Sequence, residues 1–358
     1  MNNVLIFYFI LIFFMIVIII KLKNNKINKL KFYKCYTLKL SPLIKEIFNE
    51  YKLERVHNKN YDIFLPCNYT NIKNEMKKFE KCNNKLIFGI SNCDLIVSKS
   101  NLWNLLEKTY SRKNAKKIMP ETYILKNQKH MVLFNKDFNS NELYLLKKNI
   151  QQKKGILITK DINIINNAYK NKYVVVQKYL KNQYLYNNRK LNLRIYILVI
   201  IKNRNKHVYI NKKGKCIYSN KDFNINDLNP EIHLTSYNLD QNIYNNFPET
   251  FEELNNNLKD VKFADIFDKI IKICRLTFRP SLQIIFDKKF NDCISFQLFG
   301  LDFILDNKFN PFLLEINKGP DMIPKNKKDK MLKKTIYYDV FSKVDIIKRN
   351  TNNFLKIL

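Results

Sequence analysis

The segment from Phe296 to Asn317 constrains the fold most strongly, because two apolar stretches flank one short polar turn. The first stretch reads FQLFGLDFILD and the second reads PFLLEIN. Two such stretches around a short turn predict an antiparallel β-hairpin. If Asp306 pairs with Pro311, the antiparallel register places Asp302 directly opposite Glu315. The sequence therefore predicts two carboxylates side by side on one face of a sheet.

These two carboxylates indicate a site for a divalent cation. Like charges that face each other across a ladder are destabilising, and the neighbouring Phe, Leu and Ile side chains make unpaired charges costly. Asn317 lies two residues beyond Glu315 and shares its face, so it adds a neutral oxygen ligand. Oxygen ligands suit Mg²⁺ that bridges to the phosphates of a substrate. The alternative is that both acids are exposed to solvent or paired with lysines.

A second polar row lies in the segment Arg189–Tyr196, which reads RKLNLRIY. The alternation of a strand places Lys190, Asn192 and Arg194 on one face and apolar residues on the other. Such a row can bind phosphate or carboxylate, and an arginine in so lysine-rich a chain favours a forked contact over charge alone. The alternative is an edge strand with solvated basic residues.

Two further segments carry weaker signals. Lys147 ends a short apolar strand and precedes a basic loop with one glycine, Gly155, where a lysine can clamp a phosphate. An ordinary solvated lysine explains this pattern equally well. The segment Val174–Leu180 is an apolar strand that ends in a polar step, where exposed backbone groups could contact the edge of a purine.

The charge of the chain limits the expected partners. It carries 64 Lys and Arg against 31 Asp and Glu, a formal net charge of +33. The lysines are spread along the chain, and no zinc-finger, RNP-type or helix-turn-helix signature accompanies them, so no nucleic acid is expected as a partner. An attraction to acidic proteins is a weaker inference. The hydrophobic fraction of 46% excludes a disordered protein.

The N-terminus contains an unbroken apolar run from Val4 to Ile20, about 25 Å long as a helix. We expect a single-pass membrane anchor rather than a cleaved signal peptide, because no charged segment precedes the run and no small-residue cleavage motif follows it. The lysines after the run place the remaining chain in the cytosol. The seven cysteines form no C-x-x-C pair and are expected to be reduced packing thiols.

The chain as a whole is expected to be an α/β (α+β) protein. Ser41 and Pro42 predict the start of the first helix, and apolar runs at Leu86–Ile90 and Leu95–Ser98 predict strands. A hairpin is expected around Lys213 and Gly214. The predicted parts are a membrane anchor (residues 1–20), a basic tether (21–40), an N-terminal α/β domain (41–120), a central subdomain (121–190) and a C-terminal subdomain with the metal site (191–350).

An ordered set of motifs resembles the tubulin tyrosine ligase-like family, whose catalytic core has the ATP-grasp fold. The motifs follow the family order from about residue 60 to 345, and Asp302 and Glu315 have the separation found in the family. Each motif alone is unspecific, but the ordered set is specific. The matching stretches are Leu95–Trp103, Ile118–Ile124, Lys147–Ile158, Val175–Leu180, Arg189–Tyr196, His233–Ser236 and Phe299–Pro320.

The resemblance implies a role for each candidate site residue. ATP and Mg²⁺ are the implied cofactors. The implied contacts are Lys147 and Lys190 with the ATP phosphates, Gln177, Lys178 and Leu180 with adenine, Asn192 with a ribose hydroxyl, Asp302, Glu315 and Asn317 with Mg²⁺, and Arg194 and Thr235 with the amino acid or the acyl phosphate.

The implied reaction is ATP-dependent amide formation between a free amino acid, for example glutamate, and a carboxylate of an acidic protein tail such as that of tubulin. ATP first phosphorylates the carboxylate, and the amine then attacks the acyl phosphate. The chain departs from the family pattern in the single Gly155 of the phosphate loop and in Asn192, Ile217 and Ser236, where the family usually has Asp, Arg and Asn. The alternative is a membrane-anchored pseudoenzyme that binds tubulin or another acidic protein without turnover.

Overall fold

The computed structural model describes residues 29–34, 40–67, 72–77, 84–150, 155–259 and 261–358. The predicted anchor and the first part of the predicted tether lie outside the described residues. Among the helices that are described, none is both long and apolar enough to cross a bilayer.

The described chain alternates strands and helices, as predicted for an α/β protein. The strands are β1 Lys31–Lys34, β2 Glu54–Val56, β3 Ile63–Leu65, β4 Leu86–Phe88, β5 Thr122–Ile124, β6 Tyr144–Lys147, β7 Ile156–Thr159, β8 Val175–Lys178, β9 Leu185–Tyr186, β10 Arg189–Lys202, β11 Asn205–Asn211, β12 Lys215–Tyr218, β13 Ile294–Leu305, β14 Pro311–Asn317 and β15 Phe354–Lys356. The helices are α1 Pro42–Glu50, α2 Ile72–Lys77, α3 Asp94–Val97, α4 Lys99–Ala115, α5 Gln128–Asp137, α6 Ile162–Asn166, α7 Pro230–His233, α8 Phe251–Asn257, α9 Phe263–Ile285 and α10 Lys327–Lys343.

The larger sheet is organised around β10 and β13, which pair antiparallel from Asn192–Ile304 to Lys202–Ile294. Its strand order is β15-β11-β10-β13-β4-β3-β1-β2, with β9 and β12 also on β10 and β14 also on β13. Strand β10 is apolar on both faces along its second half, so each face packs into a core. Ile195 and Ile197 join the core that contains α9, whereas Tyr196 and Leu198 join the core that contains α1 and α10.

The smaller sheet has the order β5-β8-β6-β7. It lies within the predicted central subdomain and has its own core, in which Tyr123, Tyr144 and Val176 pack against Phe134 of α5 and Ile165 of α6. The described strands of the N-terminal part join the larger sheet. Strand β4 pairs parallel with β13, so residues 41–120 extend the larger sheet.

Three local predictions are wrong. The predicted tether contains β1, which pairs parallel with β2 and β3, so folded structure begins before Ser41. The apolar run at Leu95–Ser98 lies in helix α3 and at its end rather than in a strand. Strands β11 and β12, on either side of Gly214, do not pair with each other, because each pairs with a different half of β10.

The cysteines differ in state. Cys93, Cys216 and Cys274 are buried free thiols, as predicted. Cys67 and Cys293 each take part in a disulfide bond, so the prediction of reduced thiols is wrong for these two residues.

Candidate active site

The β13–β14 hairpin places Asp302 opposite Glu315, as predicted, but the register arises differently. Leu305, not Asp306, pairs with Pro311, and a β-bulge at Leu314 then shifts the ladder by one residue. Asp306 instead accepts hydrogen bonds from the backbone N–H groups of the turn, including that of Asn310 at 2.7 Å. The predicted pair therefore forms because the bulge compensates for the one-residue difference between the predicted and the observed pairing at the turn.

Both carboxylates contact cations of the chain. The guanidinium of Arg194, which lies opposite Asp302 on the neighbouring strand β10, donates to both Asp302 carboxylate oxygens, with Nη2 to Oδ2 at 2.9 Å. Glu315 Oε2 lies 3.5 Å from Lys99 Nζ, and its Oε1 accepts a hydrogen bond of 3.2 Å from Asn317 Nδ2. The arrangement thus contains the predicted acid pair and also the lysine pairing that the sequence left as an alternative.

Burial and neighbouring charges move the pKa values of the two acids apart. Burial raises the pKa of Asp302 above its ordinary value although Arg194 opposes this, and the nearby Glu315 adds a smaller rise. Burial would also raise the pKa of Glu315, but Lys99 and Lys147 hold it below its ordinary value. The two acids that face each other therefore differ in how readily they take up a proton.

Two buried lysines approach from the other side. Lys147 ends β6 and Lys190 begins β10, and each side chain is only 6% exposed. Burial lowers the pKa of Lys147 to about 8, and burial together with Lys147 lowers that of Lys190 to about 7. Lys147 Nζ donates to Gln177 Oε1 at 2.6 Å. Within the part of the chain that the structure describes, no carboxylate pairs with Lys190.

Asn192 presents an unused acceptor between these charged groups. Its Nδ2 donates to Thr235 Oγ1 at 2.9 Å. Its Oδ1 is buried and has no hydrogen-bond partner within the described residues. A buried acceptor without a donor is costly, so this oxygen fits a ligand that brings a hydroxyl or amine.

One cavity of about 390 Å³ lies between the two sheets, and Lys99 is among the residues that line it. Ile217 also lines it, where the resemblance would place an arginine. The predicted site residues among its walls are Lys147, Lys190, Asn192, Arg194, Thr235, Asp302, Glu315 and Asn317.

The three residues predicted to contact adenine do not line this cavity. Gln177 lies behind Lys147, and its Nε2 donates to Thr122 Oγ1 at 2.8 Å. Lys178 forms a salt bridge of 3.0 Å with Glu121, and Leu180 is half-buried outside the cavity wall. Their contact with adenine stays a prediction.

The sequence reasoning assigned no role to Lys99, which the structure places in the cavity. Lys99 is the first residue of α4, and its Nζ contacts both Glu315 and the backbone oxygen of Ile150, the latter at 3.4 Å. The preceding Ser98 caps α4 and accepts a hydrogen bond of 3.1 Å from Asn149 Nδ2. The local signal was a lysine directly after an N-cap serine, but nothing local connects it with Glu315.

The donor set fits Mg²⁺. Asp302, Glu315 and Asn317 offer two carboxylates and an amide oxygen on one side of the cavity, which is the oxygen-only set that this ion prefers. No group of three or more His, Cys, Asp or Glu side chains suited to a metal occurs in the described ranges. An ion at this acid pair would therefore take its remaining oxygen ligands from a substrate or from water.

The comparison with known families agrees with this geometry. The sequence model of the tubulin-tyrosine ligase family matches residues 72–353, which include the smaller sheet, the central strands β10 and β13 of the larger sheet, and every residue of the cavity. The chain belongs to the tubulin-tyrosine ligase family.

Curated relatives carry names of the same family. The probable tubulin polyglutamylase TTLL9 of Rattus norvegicus is 26% identical over 185 residues, which cover 49% of this chain and 40% of that protein. The probable tubulin polyglutamylase ttll-9 of Caenorhabditis elegans is 24% identical over 252 residues, 66% of this chain and 60% of that protein. Tubulin glycylase 3B of Drosophila melanogaster is 26% identical over 203 residues, 52% of this chain and 26% of that protein. The chain thus spans less than two thirds of each of these relatives.

Proposed function

We propose that this member of the tubulin-tyrosine ligase family is an ATP- and Mg²⁺-dependent ligase. It would join the amine of a free amino acid to a carboxylate of an acidic protein tail, with tubulin as the acceptor and glutamate as the amino acid tested first. The observation that carries the proposal is the cavity itself. Two buried lysines lie on one side, as a polyanion requires, and Lys190 has no carboxylate partner among the described residues. An acid pair lies on the other side, as a cation requires.

Basic residues of the cavity would bind the phosphates of ATP, and acidic residues would bind the metal ion. Lys147 and Lys190 would bind the phosphates of ATP, since an anion between them would balance the charge of both buried ammonium groups. The unpaired Asn192 oxygen would accept a hydrogen bond from a substrate hydroxyl, and Thr235 holds its amide in place. Asp302, Glu315 and Asn317 would hold Mg²⁺, which when bound neutralises charge on the transferring phosphoryl group.

The reaction has two balanced steps. A carboxylate oxygen of the acceptor takes the γ-phosphoryl group of ATP, which forms an acyl phosphate and ADP. The amine then attacks the acyl carbon, the C–N bond forms, and inorganic phosphate leaves as the amine loses a proton. Arg194 lines the cavity beside Asp302, where it would balance the negative charge that develops in both steps.

One observation favours the second candidate, a binding protein without turnover. Both oxygens of Asp302 already accept hydrogen bonds from Arg194, so a cation must share this carboxylate or displace the guanidinium. The phosphate loop has Gly155 as its single glycine, which also favours this candidate, because a loop that covers phosphates usually has several. In this form the chain would hold tubulin or another acidic protein.

The test measures incorporation of labelled glutamate, glycine or tyrosine into tubulin by the full chain with ATP and Mg²⁺. The variants Asp302→Asn and Glu315→Gln keep the shape of each side chain and remove its charge. We expect incorporation of one amino acid by the wild type and a loss of about a hundredfold or more in each variant. Lys212→Gln, an exposed lysine outside the cavity, serves as the control and should retain activity. Tubulin binding by a wild type that incorporates nothing would support the binding protein instead.

The membrane anchor predicted at Val4–Ile20 and the cytosolic orientation of the chain remain proposals. Exposure of the N-terminus and of the ligase part to a protease, in intact and in permeabilised cells, would test both.

A further inference from the structure

Tyr179 follows β8 directly, and its hydroxyl is held by two buried side chains. His233 Nε2 lies 2.6 Å from the backbone oxygen of Asp227, which can only accept, so this nitrogen carries the proton. His233 Nδ1 is then an acceptor, and the Tyr179 hydroxyl at 2.8 Å donates to it. Gln183 Nε2 donates to the same hydroxyl oxygen at 3.1 Å. The orientation of the Tyr179 ring is therefore fixed from both sides.

The ring held in this way lies beneath the ammonium group of Lys190. Lys190 Nζ is 4.9 Å from the centroid of the Tyr179 ring, within the range of a cation–π interaction. The ring replaces the carboxylate that a buried lysine normally has, since none of the acids in the described residues pairs with Lys190.

The other groups around Lys190 do not stabilise its charge. Lys147 on β6 repels it, and His233 is neutral because burial lowers its pKa. On the neighbouring strand and turn, Leu185 pairs with Lys190 and the Ser219 hydroxyl accepts the backbone N–H of Lys190. The negative face of the Tyr179 ring is thus the favourable electrostatic contact that the structure provides for the Lys190 ammonium.

We propose that Tyr179 is a positioning residue that favours the charged form of Lys190 and directs its ammonium group into the cavity, so that a larger fraction of the protein can accept a phosphate when ATP arrives. This inference rests on the proposed nucleotide site. Loss of the ring removes a favourable contact of the ammonium group and should lower the midpoint of Lys190 titration by about one pH unit, which corresponds to about 1.4 kcal/mol.

The experiment measures the titration of Lys190 in the full chain without ATP. Pulse acetylation over pH 6–10 modifies the deprotonated amine, and mass spectrometry quantifies the peptide that contains Lys190. We expect a midpoint about one unit lower in Tyr179→Leu than in the wild type and little change in Tyr179→Phe, which keeps the ring. Tyr169→Leu removes an exposed tyrosine and should leave the midpoint unchanged.

A second pair of variants keeps the shape of the ring and changes only its electrostatics. Phenylalanine and pentafluorophenylalanine at position 179 fill nearly the same volume, but fluorination reverses the charge of the ring face. We expect the pentafluoro variant to behave like Tyr179→Leu. Equal midpoints in the phenylalanine and pentafluorophenylalanine variants would overturn the proposal, even if Tyr179→Leu failed to fold.

ATP binding separates this inference from the proposed function. At pH 8, Tyr179→Leu should bind ATP about tenfold more weakly than the wild type, with a smaller difference at pH 6.5. If the midpoint of Lys190 is lower in Tyr179→Leu than in the wild type but the wild type binds no ATP, the role of Tyr179 is supported and the ligase is rejected. ATP binding that is equally strong in Tyr179→Leu at both pH values would reject the role of Tyr179 alone.

Discussion

At the scale of single residues, Lys190 shows how burial changes an ordinary side chain into a binding group. An exposed lysine stays protonated at any physiological pH, whereas Lys190 has a pKa of about 7 because it is buried beside Lys147. A bound phosphate would restore the charge of the ammonium, so the free energy of phosphate binding and the proton uptake of Lys190 are linked.

This linkage predicts the pH dependence of ATP binding. The pKa of Lys190 is about 7 in the free protein, and an anionic partner raises it. The contribution of Lys190 to affinity is therefore complete below pH 7 and falls as the pH rises above it, by at most about tenfold per pH unit. Calorimetric titration with ATP and Mg²⁺ from pH 6.5 to 9 would measure this slope.

Lys190→Arg provides the matched comparison, because arginine keeps its charge throughout this range. We expect a flatter pH dependence in this variant, whereas Lys212→Arg, which changes an exposed lysine, should behave as the wild type. The same slope in Lys190→Arg and the wild type would assign the pH dependence to another group.

At the scale of elements, the wall of the site depends on close packing between β10, the turn at Gly214 before β12, and the first residue of α8. Gly214 lies where a Cβ atom would be only 2.1 Å from the Phe251 ring and 2.6 Å from the backbone oxygen of Arg194. Arg194 is also the residue that holds Asp302. A glycine at this position thus lets α8 approach the strand that carries the cationic row.

Gly214→Ala should consequently destabilise the protein by about 2–3 kcal/mol, because neither the packed ring nor the backbone can move away without strain. Chemical denaturation would measure the free energy of unfolding. Lys212→Ala, two residues earlier and exposed, is the control and should stay within about 0.5 kcal/mol of the wild type. An unchanged stability of Gly214→Ala would mean that α8 packs less tightly than the structure indicates.

At the scale of the whole molecule, one buried ion network joins three distant parts of the chain. Lys215 Nζ of β12 lies 2.8 Å from both Glu249, just before α8, and Asp329 of α10. Asp329 also pairs with Lys333 at 2.8 Å. Glu249 and Asp329 are fully buried, so each depends on these cations. The network fixes the N-terminal end of α10 to the sheet that carries the site.

Asp329→Asn should destabilise the protein by about 3–5 kcal/mol at neutral pH, because it leaves Lys333 and part of Lys215 buried without an anionic partner. Burial opposes the charge of Asp329, but Lys215 and Lys333 hold its pKa below the ordinary value. Its stabilising effect is therefore present above about pH 4 and is lost as the pH falls through the folded-state pKa.

The measurement is the free energy of unfolding of the wild type and Asp329→Asn between pH 7 and pH 3. The difference between them should shrink toward acid. Asp321→Asn removes an exposed acid that pairs with Lys325, and this control should change stability by less than about 1 kcal/mol at any pH. A difference between the wild type and Asp329→Asn that does not depend on pH would show that the charge of Asp329 is not responsible.

Much of the site was predictable because its residues follow local rules. The alternation of β10 placed Lys190, Asn192 and Arg194 on one face, and all three line the cavity. The hairpin pattern placed Asp302 opposite Glu315, although through a bulge that no pattern indicated. Strand β1 was missed because it forms only by pairing with strands that lie more than twenty residues later in the chain.

The sequence by itself determined the α/β class, the acid pair and the cationic row, because side-chain periodicity in strands is a property of neighbouring residues. Tertiary structure alone decided which cation meets which acid. Arg194 contacts Asp302 because β10 pairs with β13, and Lys99 reaches Glu315 because α4 begins beside the hairpin. It also decided that Tyr179, not a carboxylate, lies beneath Lys190. Such contacts join residues far apart in the chain, and their registers depend on the packing of the complete fold rather than on any local pattern.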